Sequence, residues 1–336
     1  MIDWISVGKR LYFLVGAAVL VAAAAAFFKP GAPVKIEIPP GLSAMQTGLL
    51  LKKDGVIGSV SLFRAAAKIL RADRSLKPGL YYFRESMPIF EVLRRLERGS
   101  DGIRILVPEG FSARQIAERL QANGVCKAYD FMRYVERNRL EGYLFPSTYY
   151  FDANESPAQV AERMTREFQD KMASVYDGFT PKPALTLAQS LILASIVQRE
   201  AYLQSERPMI AGVYLNRLKM RMRLQADPTV QYALGYWKKE LTTQDLKIDS
   251  PYNTYLHYGL PPGPICNPGV MSLLAVLRPA DTKDLYFVAN DKGGHIFSKT
   301  NAEQNAAKAA VRKSLEQAKK DGGQSGSRYR AAKHFP

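Results

Sequence analysis

From Leu187 to Val197 the chain reads Leu-Ala-Gln-Ser-Leu-Ile-Leu-Ala-Ser-Ile-Val, then turns polar at Gln198, Arg199 and Glu200. A run apolar nearly all round, yet too short to cross a bilayer, predicts a helix buried in a protein core. On such a helix the neighbours of Glu200 at i−7, i−4, i−3 and i+3 are Leu193, Ile196, Val197 and Leu203. The carboxylate therefore projects from the apolar stripe, while Gln198 lies about 200° away round the helix. Desolvation there, and a nearby helix C-terminus, would raise the carboxyl pKa. Those are the conditions for a general acid that stays protonated near neutral pH. The alternative is a helix that ends near Gln198 and leaves Glu200 to solvent or to Arg199.

Beyond Glu200 the chain combines aromatic, amide and hydroxyl side chains. Ser205-Glu206-Arg207-Pro208 reads as a helix start, and the new helix carries Tyr214, Asn216 and Arg217. Then come Gln225, Asp227, Thr229 and Tyr232, and further on Tyr252, Asn253, Thr254 and Tyr255 before Gly259-Leu-Pro-Pro-Gly263. Sugars offer hydroxyls to amides and flat C–H faces to rings, so this set suits a carbohydrate groove. Tight turns use the same composition, and both readings stand on residues alone. Glu206 and Asp227 are candidate partner carboxylates, or simply a helix start and a turn before Pro228.

These elements sit in a chain of 336 residues with 47 Lys+Arg against 31 Asp+Glu, a net charge of +16. Its 47% hydrophobic content excludes wholesale disorder. Two cysteines exclude a disulfide-rich scaffold, and Cys126 and Cys266 read as two independent buried thiols, with a pair formed in an oxidising compartment as the alternative. Three scattered histidines (His257, His295, His334) make no ordinary zinc site. No GxSxG, HExxH, Walker or GxGxxG signature appears in context. The charge suggests a polyanionic partner, yet no nucleic-acid motif accompanies it. Eight Lys/Arg fall within residues 308–333, which fits an anionic membrane face or an acidic polymer.

Leu11 to Phe28 is free of charge and, as a helix, about 27 Å long, enough for a bilayer core. With Lys9 and Arg10 before it, the expectation is a retained single-pass anchor, N-terminus (1–10) cytoplasmic and the body outside. A cleaved signal peptide is the competing reading.

A repeat organises the chain beyond this segment. Val34–Ile57 aligns without gaps on Ile103–Cys126, with nine of 24 positions identical, including Pro39/Pro108, Gly41/Gly110, Ser43/Ser112, Gln46/Gln115 and Gly55/Gly124. Each copy predicts a strand, a turn, a Ser-capped helix and a terminating Gly. Helices are expected over Ser59–Lys68, Pro88–Arg98, Ala128–Arg139, Pro157–Ala173, from Leu187 to about Arg223, and over Asn301–Lys320; strands over Tyr81–Phe83 and Leu285–Ala289. Asp249–Val270 reads as a turn-rich loop. The expected fold is α+β: a small membrane-proximal α/β module (34–102), a larger, mainly helical domain (103–320, its residues 103–139 holding the second copy), and a disordered basic tail (321–336).

Taken together, Ala194-Ser-Ile-Val-Gln-Arg-Glu200, Leu215-Asn-Arg-Leu218, Leu224-Gln-Ala-Asp-Pro-Thr-Val-Gln-Tyr232, Tyr252-Asn-Thr-Tyr255 and Gly259-Leu-Pro-Pro-Gly263 resemble the YceG-like (MltG-type) endolytic murein transglycosylases. Leu140-Glu-Gly-Tyr-Leu-Phe-Pro-Ser-Thr-Tyr149, Leu285–Ala289 and Gly293-Gly-His-Ile-Phe297 are similar to further stretches of that family. The resemblance runs from the anchor to about residue 315. It implies an inner-membrane anchor, a LysM-like module over 34–102, a periplasmic domain that cuts peptidoglycan glycan strands, and work beside peptidoglycan synthases. It brings no metal, cofactor or nucleic acid. The family's catalytic glutamate falls on Glu200, and the nine residues Asn216, Gln225, Asp227, Thr229, Tyr232, Tyr252, Asn253, Thr254 and Tyr255 become candidate substrate contacts. Two departures stand out: the family's first glutamate is Gln198 here, and its Glu-His pair is Glu303-Gln304. If the first glutamate were the essential one, this chain would be a non-catalytic peptidoglycan-binding scaffold.

A lytic mechanism also fits one carboxylate. Hydrolytic glycosidases use two, whereas in the lytic reaction the 6-hydroxyl of N-acetylmuramic acid attacks its own anomeric carbon and leaves a 1,6-anhydro end.

Overall fold

A computed structural model of the chain describes residues 31–290 and 293–320. They form a mixed α+β fold, mainly helical, with small two-stranded sheets. The expected anchor at 11–28, the segment before it and the tail at 321–336 lie outside the described residues. Among the described residues no helix is long and apolar enough to cross a membrane. The chain divides into two compact units between Arg104 and Ile105.

The first unit runs β1 (Pro33–Ile38), α1 (Ala44–Lys53), α2 (Val60–Ile69), β2 (Gly79–Arg84) and α3 (Ile89–Arg98). β1 and β2 pair antiparallel, with Val34 opposite Phe83 and Ile36 opposite Tyr81. Alternation on these strands turns Ile36, Ile38, Tyr81 and Phe83 inward onto Leu51, Phe63 and Leu93 of the helices. The result is a β-α-α-β frame closed by α3.

The division falls inside β3 (Ile103–Leu106), which pairs with β4 (Thr148–Phe151). The second unit continues through α4 (Ala113–Ala122), α5 (Ala128–Asn138), α6 (Pro157–Phe168), α7 (Leu187–Glu200), α8 (Arg207–Lys219), α9 (Asp227–Leu234), α10 (Val270–Leu277), β5 (Tyr286–Ala289), β6 (His295–Ser298) and α11 (Asn301–Lys320). The two copies of the repeat fold alike. Ser43 with Gln46, and Ser112 with Gln115, each form a reciprocal capping box. Gly41 and Gly110 share a φ of +83°, as Gly55 and Gly124 share +73°, a left-handed backbone that favours glycine.

α7 is the centre of the second core. Its N-terminus is fixed by a capping box between Thr186 and Gln189, and it packs against α8, α9 and α10. Leu191, Leu193, Ala194, Ile196 and Val197 are fully buried in it. The helical stretch expected from Leu187 to about Arg223 is two helices: Ala201 and Leu203 are extended, and α8 begins at Arg207, within the helix start expected over Ser205–Pro208. Proline has no N–H to lose at a helix start. The same reason converts the turn expected before Pro228 into the first turn of α9, which Gly235 ends in a left-handed conformation. α10 begins at Val270, where the expected turn-rich loop ends, and α10, β4 and β6 are additional to the elements expected from the sequence.

Candidate functional site

The last residue of α7 is Glu200, half-buried at the edge of a cleft of about 720 Å3. Tyr214, buried on α8, donates its hydroxyl to Glu200 Oε1 at 2.7 Å. Burial, and after it the charge of Glu200, push the Tyr214 pKa well above the ordinary phenol value, so the ring stays a donor. Leu193, Ile196 and Val197 on the preceding turns are fully buried, and the carboxylate leaves the core where they end. Leu203, expected at i+3, is instead 40% exposed because the helix has already stopped.

Two further acids stand in this region. Asp227, in the first turn of α9, lines the cleft and accepts the Tyr255 hydroxyl at Oδ1, 2.6 Å away. Burial and the Asp227 charge raise the Tyr255 pKa, and the fields of both Glu200 and Asp227 reach Tyr214 and Tyr255. Glu206 grips His295, a cleft residue, twice: Oε1 accepts its backbone N–H at 2.9 Å, and Oε2 meets ring Nδ1 at 2.7 Å. A Cβ on the adjacent Gly294 would come within 2.7 Å of Glu206 Oε1, so a larger residue there would make the carboxylate shift. On the other side, the Arg199 guanidinium stacks 3.6 Å over the Trp237 ring and donates to the Gly110 carbonyl of the second repeat copy. Burial draws the Arg199 pKa below its ordinary value.

The sequence-derived candidates part into three groups. Gln225, Asp227 and Tyr255 line the cleft with Glu200. Tyr232 and Tyr252 line a second cavity of about 850 Å3, their rings 4.8 Å apart. Asn216, Thr229, Asn253 and Thr254 border neither space. Asn216 Nδ2 donates to the carbonyls of Thr282 and Asp284 at 2.8 and 3.1 Å. The fully buried Thr229 donates to the Ala226 carbonyl and meets Thr254 Oγ1 at 2.9 Å, while Thr254 accepts from the Ala226 N–H. Asn253 Nδ2 bridges the carbonyls of Leu246 and Ile248. These four brace loops that would otherwise leave buried backbone groups unpaired.

Gln198 is buried and points to α10. Its Oε1 accepts the Gly269 N–H at 3.2 Å and the Ser272 hydroxyl at 2.7 Å. An amide oxygen meets both needs, which explains how this position dispenses with a carboxylate. Gln304, buried beside the cleft, donates to the Phe287 carbonyl and ties α11 to β5.

Sequence reasoning passed over Glu141, a partly buried carboxyl that lines the second cavity. It accepts the Ala113 N–H, the Asn267 amide at 3.2 Å and the Tyr232 hydroxyl at 3.3 Å. Burial lifts its pKa from 4.5 to about 7, against the opposing pull of those hydrogen bonds. Trp237 was passed over as well. Their partners lie far away in the chain, so no local spacing signals either residue. The thiols are both free; Cys266 is buried and donates to the Ser195 carbonyl, while Cys126 is half-buried. Among the described residues no cluster of three His, Cys, Asp or Glu could hold a metal ion.

Comparison with known proteins places this arrangement among relatives. The sequence model of the YceG-like family matches residues 36–310. An endolytic murein transglycosylase of Bacillus subtilis (strain 168) is 35% identical over 303 residues, covering 82% of this chain and 84% of that protein. One from Streptococcus pneumoniae (strain R6) is 29% identical over 315 residues, 81% of this chain and 57% of the relative. The crystal structure of a YceG-like protein from Listeria monocytogenes is similar with a TM-score of 0.56 and 33% identity, over 82% of this chain and 98% of that one.

Proposed function

The chain belongs to the YceG-like family, and we propose that it is an endolytic murein transglycosylase that cleaves the MurNAc-GlcNAc β-1,4 bond inside peptidoglycan glycan strands. One observation carries the assignment: a carboxyl at the end of a core helix, held by a buried tyrosine hydroxyl, at the edge of a cleft. In its protonated form Glu200 gives its proton to the glycosidic oxygen as the C1–O bond breaks. The MurNAc 6-hydroxyl oxygen forms the new bond to C1, and its proton passes to the Glu200 carboxylate, which ends the cycle protonated again. No water is consumed and the product ends in 1,6-anhydro-MurNAc. Gln225, Asp227 and Tyr255 contact the strand. A non-catalytic scaffold has less support, since the Gln198 amide that suggested it is occupied by Gly269 and Ser272.

In this reading Leu11–Phe28 anchors the chain in the inner membrane with residues 1–10 cytoplasmic, and residues 34–102 form a LysM-like module that holds glycan outside the cytoplasm. The antiparallel β-α-α-β frame supports that module. Synthesis and trimming of the same nascent strand would bring the protein beside peptidoglycan synthases. The test is digestion of purified sacculi: wild type is expected to release anhydro-muropeptides and Glu200→Gln, folded normally, to release none. Activity retained by the variant would remove the assignment.

A further inference from the structure

The second cavity has no part in the chemistry just described, yet it is built along the same helix. Ala188 and Ile192, near the start of α7, line it; Arg199 and Glu200, at the other end, line the catalytic cleft. Ala188 and Glu200 are about 18 Å apart along the helix axis. Gln231 and Trp237 border both spaces, so the two are neighbours across one shared wall, and Arg199 holds the Trp237 ring in place. Besides Trp237, three partly exposed rings face the second cavity: Tyr143, Tyr232 and Tyr252. The Tyr232 hydroxyl is tied to Glu141, and Glu141 in turn to Ala113 and Asn267. The wall is therefore preorganised, and both volumes fall within the roughly 300–1,000 Å3 of ordinary ligand sites. Charged residues of both signs, Arg114 and Arg139 with Glu136, share the lining, so no single-sign field selects an acidic peptide.

We infer that the second cavity is a saccharide subsite that receives the same glycan strand beyond the bond cut at Glu200, with Trp237 the platform at the junction. This rests on the transglycosylase reading. An enzyme that cuts within a strand must hold sugar on both sides of the scissile bond, and a ring-lined space adjoining the catalytic cleft at Gln231 and Trp237 supplies the stacking surfaces. Remote subsites of this kind make affinity and rate rise with substrate length.

The test uses the full chain carrying Glu200→Gln, so that strands bind without turnover. Affinity is measured by calorimetry for short and long purified glycan strands, each with its peptide stems and after their enzymatic removal. Long strands are expected to bind about tenfold tighter than short ones. Ala188→Trp, at an exposed lining position on the first turn of α7, puts an indole into the cavity and is expected to erase that ratio for both strand types. Tyr252→Leu serves as a second variant that is expected to reduce it. No length dependence in the parent, or a ratio unchanged by both variants, overturns the inference. A ratio erased only for stem-bearing strands also overturns it, and assigns the cavity to the peptide. Failure of the parent reading is distinct: the wild-type chain would then form no anhydro ends at all.

Discussion

Glu141 and Glu200 face cavities at opposite ends of α7, and each accepts a tyrosine hydroxyl: Tyr232 at 3.3 Å for Glu141, Tyr214 at 2.7 Å for Glu200. The difference lies in what else surrounds them. Glu141 draws together the start of α4, the loop at Asn267 and α9, through a backbone N–H, an amide and a phenol. Its pKa near 7 would suit a general acid, yet this carboxyl acts as a joint between chain segments. Glu200 ends a helix at the edge of a cleft that holds Asp227 and His295 as well. A shifted pKa marks an unusual environment; the position of the carboxyl relative to open space decides its use.

The contrast can be broken most severely by exchanging each carboxyl for its amide. Glu200→Gln is expected to lower kcat by about 10²–10⁴-fold, whereas Glu141→Gln keeps turnover within about threefold; initial rates on sacculi compare them, and equal losses would erase the distinction. Glu141 should instead govern stability. Its folded pKa is raised, so its contribution is fully present below pH 4.5 and is lost as the pH rises to about 7. That amounts to about 3 kcal/mol, and urea unfolding of Glu141→Gln across this window should show the slope flattened.

A smaller effect is expected at Tyr214. Tyr214→Phe removes the donor to Glu200 and should reduce kcat by about 10–100-fold, the worth of one hydrogen bond to a charged group, with KM nearly unchanged. A change confined to KM would make Tyr214 a strand contact instead. Smaller still are the effects at Gln198. Gln198→Leu orphans the Gly269 N–H and the Ser272 hydroxyl and should cost about 1–2 kcal/mol in unfolding free energy. Gln198→Glu supplies an acceptor again, and its turnover should stay within about twofold of wild type. A large gain in turnover from Gln198→Glu would give this position a chemical role.

Much of this contrast was legible in the sequence where the signal is local. The apolar run 187–197 announces both the core helix and the carboxylate at its end. The paired Ser/Gln caps and left-handed glycines of the repeat recur in both copies because three or four residues suffice to specify them. What depends on distant partners was hidden. Glu141 and Asn267 meet across 126 positions. Asp227 and Tyr232 share one motif, yet five residues on a helix rotate a side chain by about 140°, so they face different cavities once Pro228 opens a helix there. The hydroxyls and amides of Thr229, Asn253 and Thr254 looked like sugar contacts, but loops folded against the core needed them first.

The central claim is that one carboxyl, Glu200, drives a cleavage that uses no water. Mass spectrometry of strands digested in ¹⁸O-labelled water, wild type beside Glu200→Gln, tests it most directly. The account predicts wild-type products with 1,6-anhydro ends, free of label and one water lighter than hydrolytic fragments, and none from the variant. Labelled reducing ends from the wild type, or anhydro ends undiminished in Glu200→Gln, would contradict it.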